Sequence, residues 1–378
     1  MKKNTIARLQ VTKTQLRRMA ANQRRTVGLD LGDRSSHYCI LDEAGEITGA
    51  DQVPTTRTGL NSVFGKMAPC RIALEVGTHS PWVSRQLKAM GHEVIVANPR
   101  KLKLITENVK KNDRMDAENL ARVARLDPKL LAPIRHRGEE AQADLAVIRG
   151  RAALVEVRTE LIVTARGLTK PMGERLQNCD ADTVKESMAE GLSEETQKVI
   201  GPLLKSVEEV TKQIHRFDRE IEEIEKRYPV TKLLQQVYGV GPLIALVFIL
   251  TIEDPHRFAH SRDVGPYLGL TRKQRDSGDS RPELGITKAG DELLRQLLVQ
   301  GAHCILRAGA PDCDLREWGL AKAQSGGKKG SRQRKKKAVV AVARKLAVLL
   351  HRLWVTGEVY DPHYNRKAAE RRAGIQAA

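Results

Sequence analysis

One buried strand constrains the start of the chain more than any other stretch. In Thr26-Val27-Gly28-Leu29-Asp30-Leu31-Gly32 the apolar Val27, Leu29 and Leu31 alternate with Gly28, Asp30 and Gly32. That is the two-residue period of a strand with one face covered. The segment runs on into Tyr38-Cys39-Ile40-Leu41, and Asp42-Glu43-Ala44-Gly45 turns the chain into Glu46-Ile47-Thr48. A β-meander with an acid in its first strand is predicted. Asp30 stands among apolar neighbours, where an unpaired carboxylate is costly. A bound cation is one way to offset that cost.

Further along, Arg71 to Val76 reads as a second strand with Glu75 near its end, Trp82 to Met90 as a helix with Val83, Leu87 and Met90 on one face, and Glu93 to Ala97 as a third strand. This β-α-β order implies a parallel pair. Lys101 to Asn112 is basic and unpatterned, hence mostly loop. A helix runs from Asp113 through Ala117, Leu120, Ala121 and Ala124 to Leu126, and Pro128 and Pro133 mark the end of a first domain near residue 135.

From Glu139 to about Gly167 the chain is helical, with Leu145, Ile148, Ala152, Val155 and Ile162 near one face. After Ser193, Val207, Val210, Ile214, Phe217, Ile221, Ile224 and Tyr228 recur at spacings of three and four. That is a heptad seam, either a coiled coil between subunits, which the reading favours, or an intramolecular hairpin. Gly239-Val240-Gly241-Pro242 precedes an apolar run, Leu243 to Ile252. It reads equally as a helix-hairpin-helix phosphate turn, with Gly239 and Gly241 at the backbone contact, and as an ordinary glycine turn into a core helix. Then come a Gly/Ser/Arg-rich loop from Thr271 to Gly285, a helix from Lys288 to Leu306, a flexible basic stretch from Ser325 to Lys337, and a last helix from Ala338 to Trp354. The basic stretch, with Lys328, Lys329, Arg332, Arg334 and Lys335, is a natural phosphate-binding surface, although such runs also serve as solvated tails.

Charge narrows the partners. Lys and Arg number 65 against 46 Asp and Glu, a balance of +19, which favours a polyanion, nucleic acid first. Aromatic residues make up only 3%, so phosphate contacts rather than base stacking should dominate. The five cysteines form no CxxC pair, which argues against zinc or a disulfide framework and fits a reducing cytosol. No run approaches the length of a membrane span and the basic start lacks the apolar core of a signal peptide, so a cytoplasmic, nucleoid-associated protein is expected.

Asp30, Glu75, Asp113 and Asp116 come from three segments of the first domain, and the last two, at i and i+3, share a helical face. Converging, they would make a hard, oxygen-rich site suited to Mg²⁺, with Mn²⁺ as a substitute. Each also has a plain structural reading: Asp113 and Asp116 as helix-capping acids, Glu75 as an arginine partner. Gly28-Leu29-Asp30-Leu31-Gly32 further resembles the first phosphate loop of actin-like ATPases and sugar kinases, but Asp263-Val264-Gly265 is not flanked as their second phosphate motif is.

Together these residues resemble the IS110-family transposases, which are DEDD recombinases. The resemblance runs from about Thr26 to about Pro362. It rests on Val27 to Asp30, Ala73 to Gly77, Val96 to Arg100 and Lys111 to Ala117 in the first half. In the second half it rests on Gly239 to Pro242, Tyr267-Leu268-Gly269-Leu270, Asp276-Ser277-Gly278 and Gly285 to Asp291. It implies an α/β RuvC-like (RNase H-like) domain over residues 26–135 after a basic arm (1–25), a helical coiled-coil region (136–230), a mostly helical C-terminal transposase domain (231–362) and a basic tail (363–378). It also implies that Asp30, Glu75, Asp113 and Asp116 are the metal ligands and Ser277 the nucleophile. The implied partners are element-end and target DNA and a structured non-coding bridge RNA, in homodimers or homotetramers. Arg272, Lys273, Arg275, Arg281 and Lys288 flank the serine and could hold phosphates. Two other classes compete: a RuvC-like Holliday-junction nuclease using metal-activated water, and a basic nucleic-acid-binding protein with no catalysis.

Overall fold

A computed structural model of the chain describes residues 25–98, 112–277, 280–282, 284–324 and 332–367. The basic arm before Arg25, the loop from Lys101 to Lys111, Gly278, Lys328, Lys329 and the tail beyond Lys367 lie outside the described residues. The chain splits into two compact units at Arg137/Gly138.

The first unit is built on a five-stranded mixed sheet. β1 (Thr26–Asp30), β2 (Ser35–Leu41) and β3 (Ile47–Pro54) form the expected meander. On the other side of β1, β4 (Arg71–Glu75) and β5 (Glu93–Ala97) run parallel to it, so the order is β3-β2-β1-β4-β5. This arrangement is compatible with an RNase H-like domain. Helices α1 (Arg57–Phe64) and α2 (Ser80–Ala89) supply Leu60, Phe64, Val83 and Leu87 to one face, against Val27, Leu29, Ile72 and Leu74.

The opposite face is covered too, which the alternation in β1 did not suggest. α3 (Asp113–Leu126) lies on it through Ala117, Leu120, Ala121 and Ala124, spaced i, i+3, i+4, i+7. Gly28 permits this contact. A Cβ there would collide with the Ala117 carbonyl oxygen and come within 2.6 Å of the Ala121 nitrogen. The glycine of the strand is therefore the seat of a helix.

In the second unit α4 (Glu139–Thr169) and α5 (Glu194–Lys226) form a long antiparallel hairpin. The heptad seam faces inward here. Val207, Ile214, Ile221 and Ile224 are buried, and α5 packs on α4 of the same chain, so the favoured intersubunit pairing of this seam is corrected to an intramolecular one. Asp144 of α4 ties the hairpin's base by accepting from Arg227 Nη2 (2.6 Å) and Tyr228 Oη (2.8 Å). The far end closes a small core of its own around Ile162, Val184, Ile200 and Leu204.

α6 (Pro242–Ile252) is apolar on all sides and buried from Ile244 onward, as a central core helix must be. α7 (Glu292–Leu306), α8 (Asp314–Gln324) and α9 (Arg332–Thr356) share that core. Two expectations change. Lys288 is not helical: it sits at φ 53°, and α7 starts only at Glu292, where the Asp291 side chain accepts from Leu294 N (3.0 Å). Arg332 to Lys337 are not flexible but form the first turns of α9. No helix among the described residues is long and apolar enough to cross a membrane.

Candidate functional site

The four acidic residues are placed by the way α3 crosses the sheet. Arg71, at the start of β4, donates to the Ala124 carbonyl near the end of α3 (3.1 Å). Two residues on, Ala73 packs with Leu120 and Ala124. On β1, Gly28 meets Ala117 and Ala121. The helix thus runs antiparallel to β1 and β4, with its N-terminus at their C-terminal ends. From Gly28 to Asp30 the strand rises about 6.6 Å, and from Ala117 back to Asp113 the helix covers about 6 Å. Asp30 and Glu75 follow directly on the paired Leu29 and Leu74 and share the α3 face with Gly28 and Ala73. The segments that carry the four acidic residues therefore end on one side of the sheet, where the helix N-terminus favours negative charge.

His37 joins the group from β2. It is the cross-strand partner of Asp30, it faces α3 along with Cys39 and Leu41, and its Nδ1 lies 3.7 Å from Asp113 Oδ2. Gln52 stands 2.6 Å from its other ring nitrogen. The capping role once open to Asp113 is filled by Asn112, whose side chain accepts from Arg114 N (3.1 Å). Asp30 and Glu75 are half-buried, while the Asp113 side chain is 69% exposed. Carboxylate oxygens are the hard donors that a divalent cation takes, so the residue types fit one. Among the described residues, however, no three acidic, histidine or cysteine side chains close on a common point.

The loops at this end of the sheet are held by residues that the sequence did not flag. Trp82 Nε1–H donates to His79 Nδ1 (3.1 Å), so the ring proton sits on Nε2, which faces Asp33 Oδ1 at 3.2 Å. The loop after Glu75 is closed by Ser80, whose Oγ accepts from Gly77 N (3.0 Å) and lies 2.8 Å from His136 Nε2. Burial, helped by Arg85, Lys88 and Arg137, pushes the His136 imidazole down to about 4.

In the second unit the predicted loop around Ser277 is a narrow antiparallel ribbon. Arg272 bridges Ile286, Lys273 N donates to Gly285 O (2.9 Å), and Thr287 N donates to Thr271 O (2.8 Å). At the tip Ser277 and Ser280 exchange backbone hydrogen bonds of 3.2 and 3.1 Å. Ser277 is exposed, as are Arg272, Lys273, Arg275, Arg281 and Lys288. The ribbon's base is clamped by Arg295, 8% exposed, whose Nη1 lies 3.1–3.3 Å from the carbonyl oxygens of Leu268, Ala289, Gly290 and Asp291. Arg332 and Lys335 project from the first turns of α9, with Arg334 half-buried beside them.

The glycines before α6 divide. Gly239, at φ 85°, approaches α7 so closely that a Cβ would stand 2.8 Å from the Gly301 carbonyl oxygen. Gly241 is exposed at the N-cap of α6.

Comparison with known proteins covers both units. A family model for transposases of the IS110 DEDD type matches residues 27–170, which contain all four carboxylates. A second, described as transposase of the IS116/IS110/IS902 family, matches residues 231–315, which contain the ribbon. The transposase for insertion sequence element IS1111A of Coxiella burnetii is 26% identical over 91% of this chain and 93% of its own length. A putative transposase of Sinorhizobium fredii, y4pF/y4sB, is 30% identical over 81% of this chain and 78% of its own. The transposase for element IS1328 of Yersinia enterocolitica is 26% identical over 74% and 84%. With likeness of this extent across sheet, hairpin and ribbon alike, the chain belongs to the IS110 family of transposases.

Proposed function

We propose that this transposase cuts and rejoins DNA strands through a covalent serine intermediate, with the carboxylate corner and the ribbon serine working on the same phosphodiester. What supports this reading is backbone register: β1 and β4 run parallel and end in Asp30 and Glu75, on the side of the sheet where α3 begins with Asp113 and Asp116. These residues would hold Mg²⁺ or Mn²⁺. When bound, such a cation supplies charge neutralisation at the phosphoryl and leaving oxygens. The Ser277 hydroxyl attacks phosphorus, a serine–phosphate bond forms, and the bond to the 3′-oxygen breaks, with that oxygen taking up a proton. A second 3′-hydroxyl then attacks the phosphoserine, expels the serine and rejoins the strand, so no phosphodiester energy is lost. Arg272, Lys273, Arg275, Arg281 and Lys288 hold flanking phosphates and keep the DNA at the serine.

Recognition of the DNA by a structured RNA of the same element, in a dimeric or tetrameric assembly, belongs to the same reading. The excess of +19 is compatible with it, since RNA and DNA both present dense phosphate charge. The test is labelling of protein by end-labelled element-junction DNA in Mg²⁺. Wild type should carry label, and Ser277→Ala and Asp30→Asn should not. Cleavage that persists in Ser277→Ala would instead identify a nuclease using water.

A further inference from the structure

α8, α9, the ribbon and the returning segment 358–366 enclose a groove of about 1530 Å³. Its floor is aliphatic, with Leu270, Ile286, Val340, Val348 and Leu349. Its walls carry eight lysines and arginines against four carboxylates. The feature that singles it out is Trp318. Lys345 Nζ lies 3.9 Å and Lys322 Nζ 5.6 Å from the centroid of its ring. One indole thus draws two ammonium groups together. Burial, together with Lys322, holds the Lys345 ammonium below the usual lysine range.

We infer that this groove binds single-stranded nucleic acid, with a phosphate between Lys322 and Lys345 and unstacked bases on the aliphatic floor. Charge complementarity demands a polyanion, and the floor decides which form. A duplex turns its phosphates outward and keeps its bases paired inside, so it has nothing to offer an apolar floor. A single strand presents both phosphate and base faces to one groove. Arg272 and Leu284 place the ribbon in the groove's wall, so a strand lying there is held beside the element that carries Ser277. The inference rests on the proposed function only in taking nucleic acid as the chain's substrate. It does not depend on the serine chemistry.

The test is fluorescence anisotropy of the full chain with labelled oligo(dT), oligo(U) and a duplex of equal length. Lys322→Glu combined with Lys345→Glu should weaken binding of the preferred single strand at least about tenfold and lower its salt slope by about two. Duplex affinity should stay within about twofold. Lys336→Glu, on the exposed rim and away from Trp318, should weaken single strands about threefold and guards against a folding artefact in the double variant. Tighter binding of either sugar supports the site and identifies the strand it takes. Unchanged single-strand binding, an equal loss for duplex and single strand, or a change in oligomeric mass showing that a second copy fills the groove would overturn it. Ser277→Ala and Asp30→Asn should bind single strands as wild type does, so failure of the serine chemistry leaves this result standing.

Discussion

His37 Nδ1 and Asp113 Oδ2 stand 3.7 Å apart, although one belongs to a strand and the other to the helix that crosses it. His37 also faces Asp30 across the strand pair. It is therefore placed to orient two of the carboxylates without being one of them. His37→Ala should raise the Mg²⁺ concentration for half-maximal DNA cleavage about tenfold, in the range seen when a partner of a metal-binding group is removed. Cleavage at saturating Mg²⁺ should recover most of its rate. A metal titration at constant DNA checks this.

Asp30→Asn and Asp116→Asn should each lower cleavage at least about a hundredfold. Each should leave the thermal midpoint within about 5 °C, because asparagine keeps the size and shape of aspartate and neither site lies in the apolar core. A loss of activity accompanied by a falling midpoint would mean that these residues hold the fold instead.

Gly28→Ala should destabilise the first unit by about 3 kcal/mol. The added methyl meets helix backbone, which cannot rotate away as a side chain can. The displaced α3 would carry Asp113 and Asp116 with it. Urea unfolding together with cleavage assays should show both losses in one variant.

Arg295→Met should cost about 3 kcal/mol by leaving buried carbonyls at the base of the ribbon without a donor. Hydrogen exchange should then accelerate at Lys273 N and Thr287 N, the ribbon's own donors. Arg295→Lys, with a single ammonium in place of the planar fork, should recover part of the protection.

His136 gives the first unit a pH dependence of known sign. Its imidazole titrates at about 4 in the folded chain and at 6.5 when free. Between these values the unfolded chain binds a proton that the folded chain does not. Stability is thus fully present above pH 6.5 and declines as the pH falls towards 4. His136→Gln should flatten that slope, as chemical denaturation at pH 7 and pH 5 would show.

Much of the first unit was legible because its signals are local. The alternation around Asp30, the apolar spacing of α3 and the turn before β3 each follow from a short window. What escaped depended on partners. His37 matters only through its register opposite Asp30. Gly28 reads as strand punctuation until α3 is laid over it. The seam of α5 carries the same heptads whether its partner is α4 or another subunit. Lys288 looked helical because nothing near it in sequence announces its partner: at φ 53° its N–H donates to the Gly269 carbonyl (3.1 Å). Arg332 to Lys337 looked flexible because their charge hid the α9 repeat that begins just beyond them.

The hairpin of α4 and α5 has one further consequence. At about 1.5 Å per residue, the 33 residues of α5 extend roughly 50 Å, and the distal end is stabilised by its own apolar cluster. Such a spacer insulates its tip: changes around Ile162 or Leu204 should be absorbed locally, leaving that end free to diverge between elements while the tie of Asp144 to Arg227 and Tyr228 at the base stays fixed.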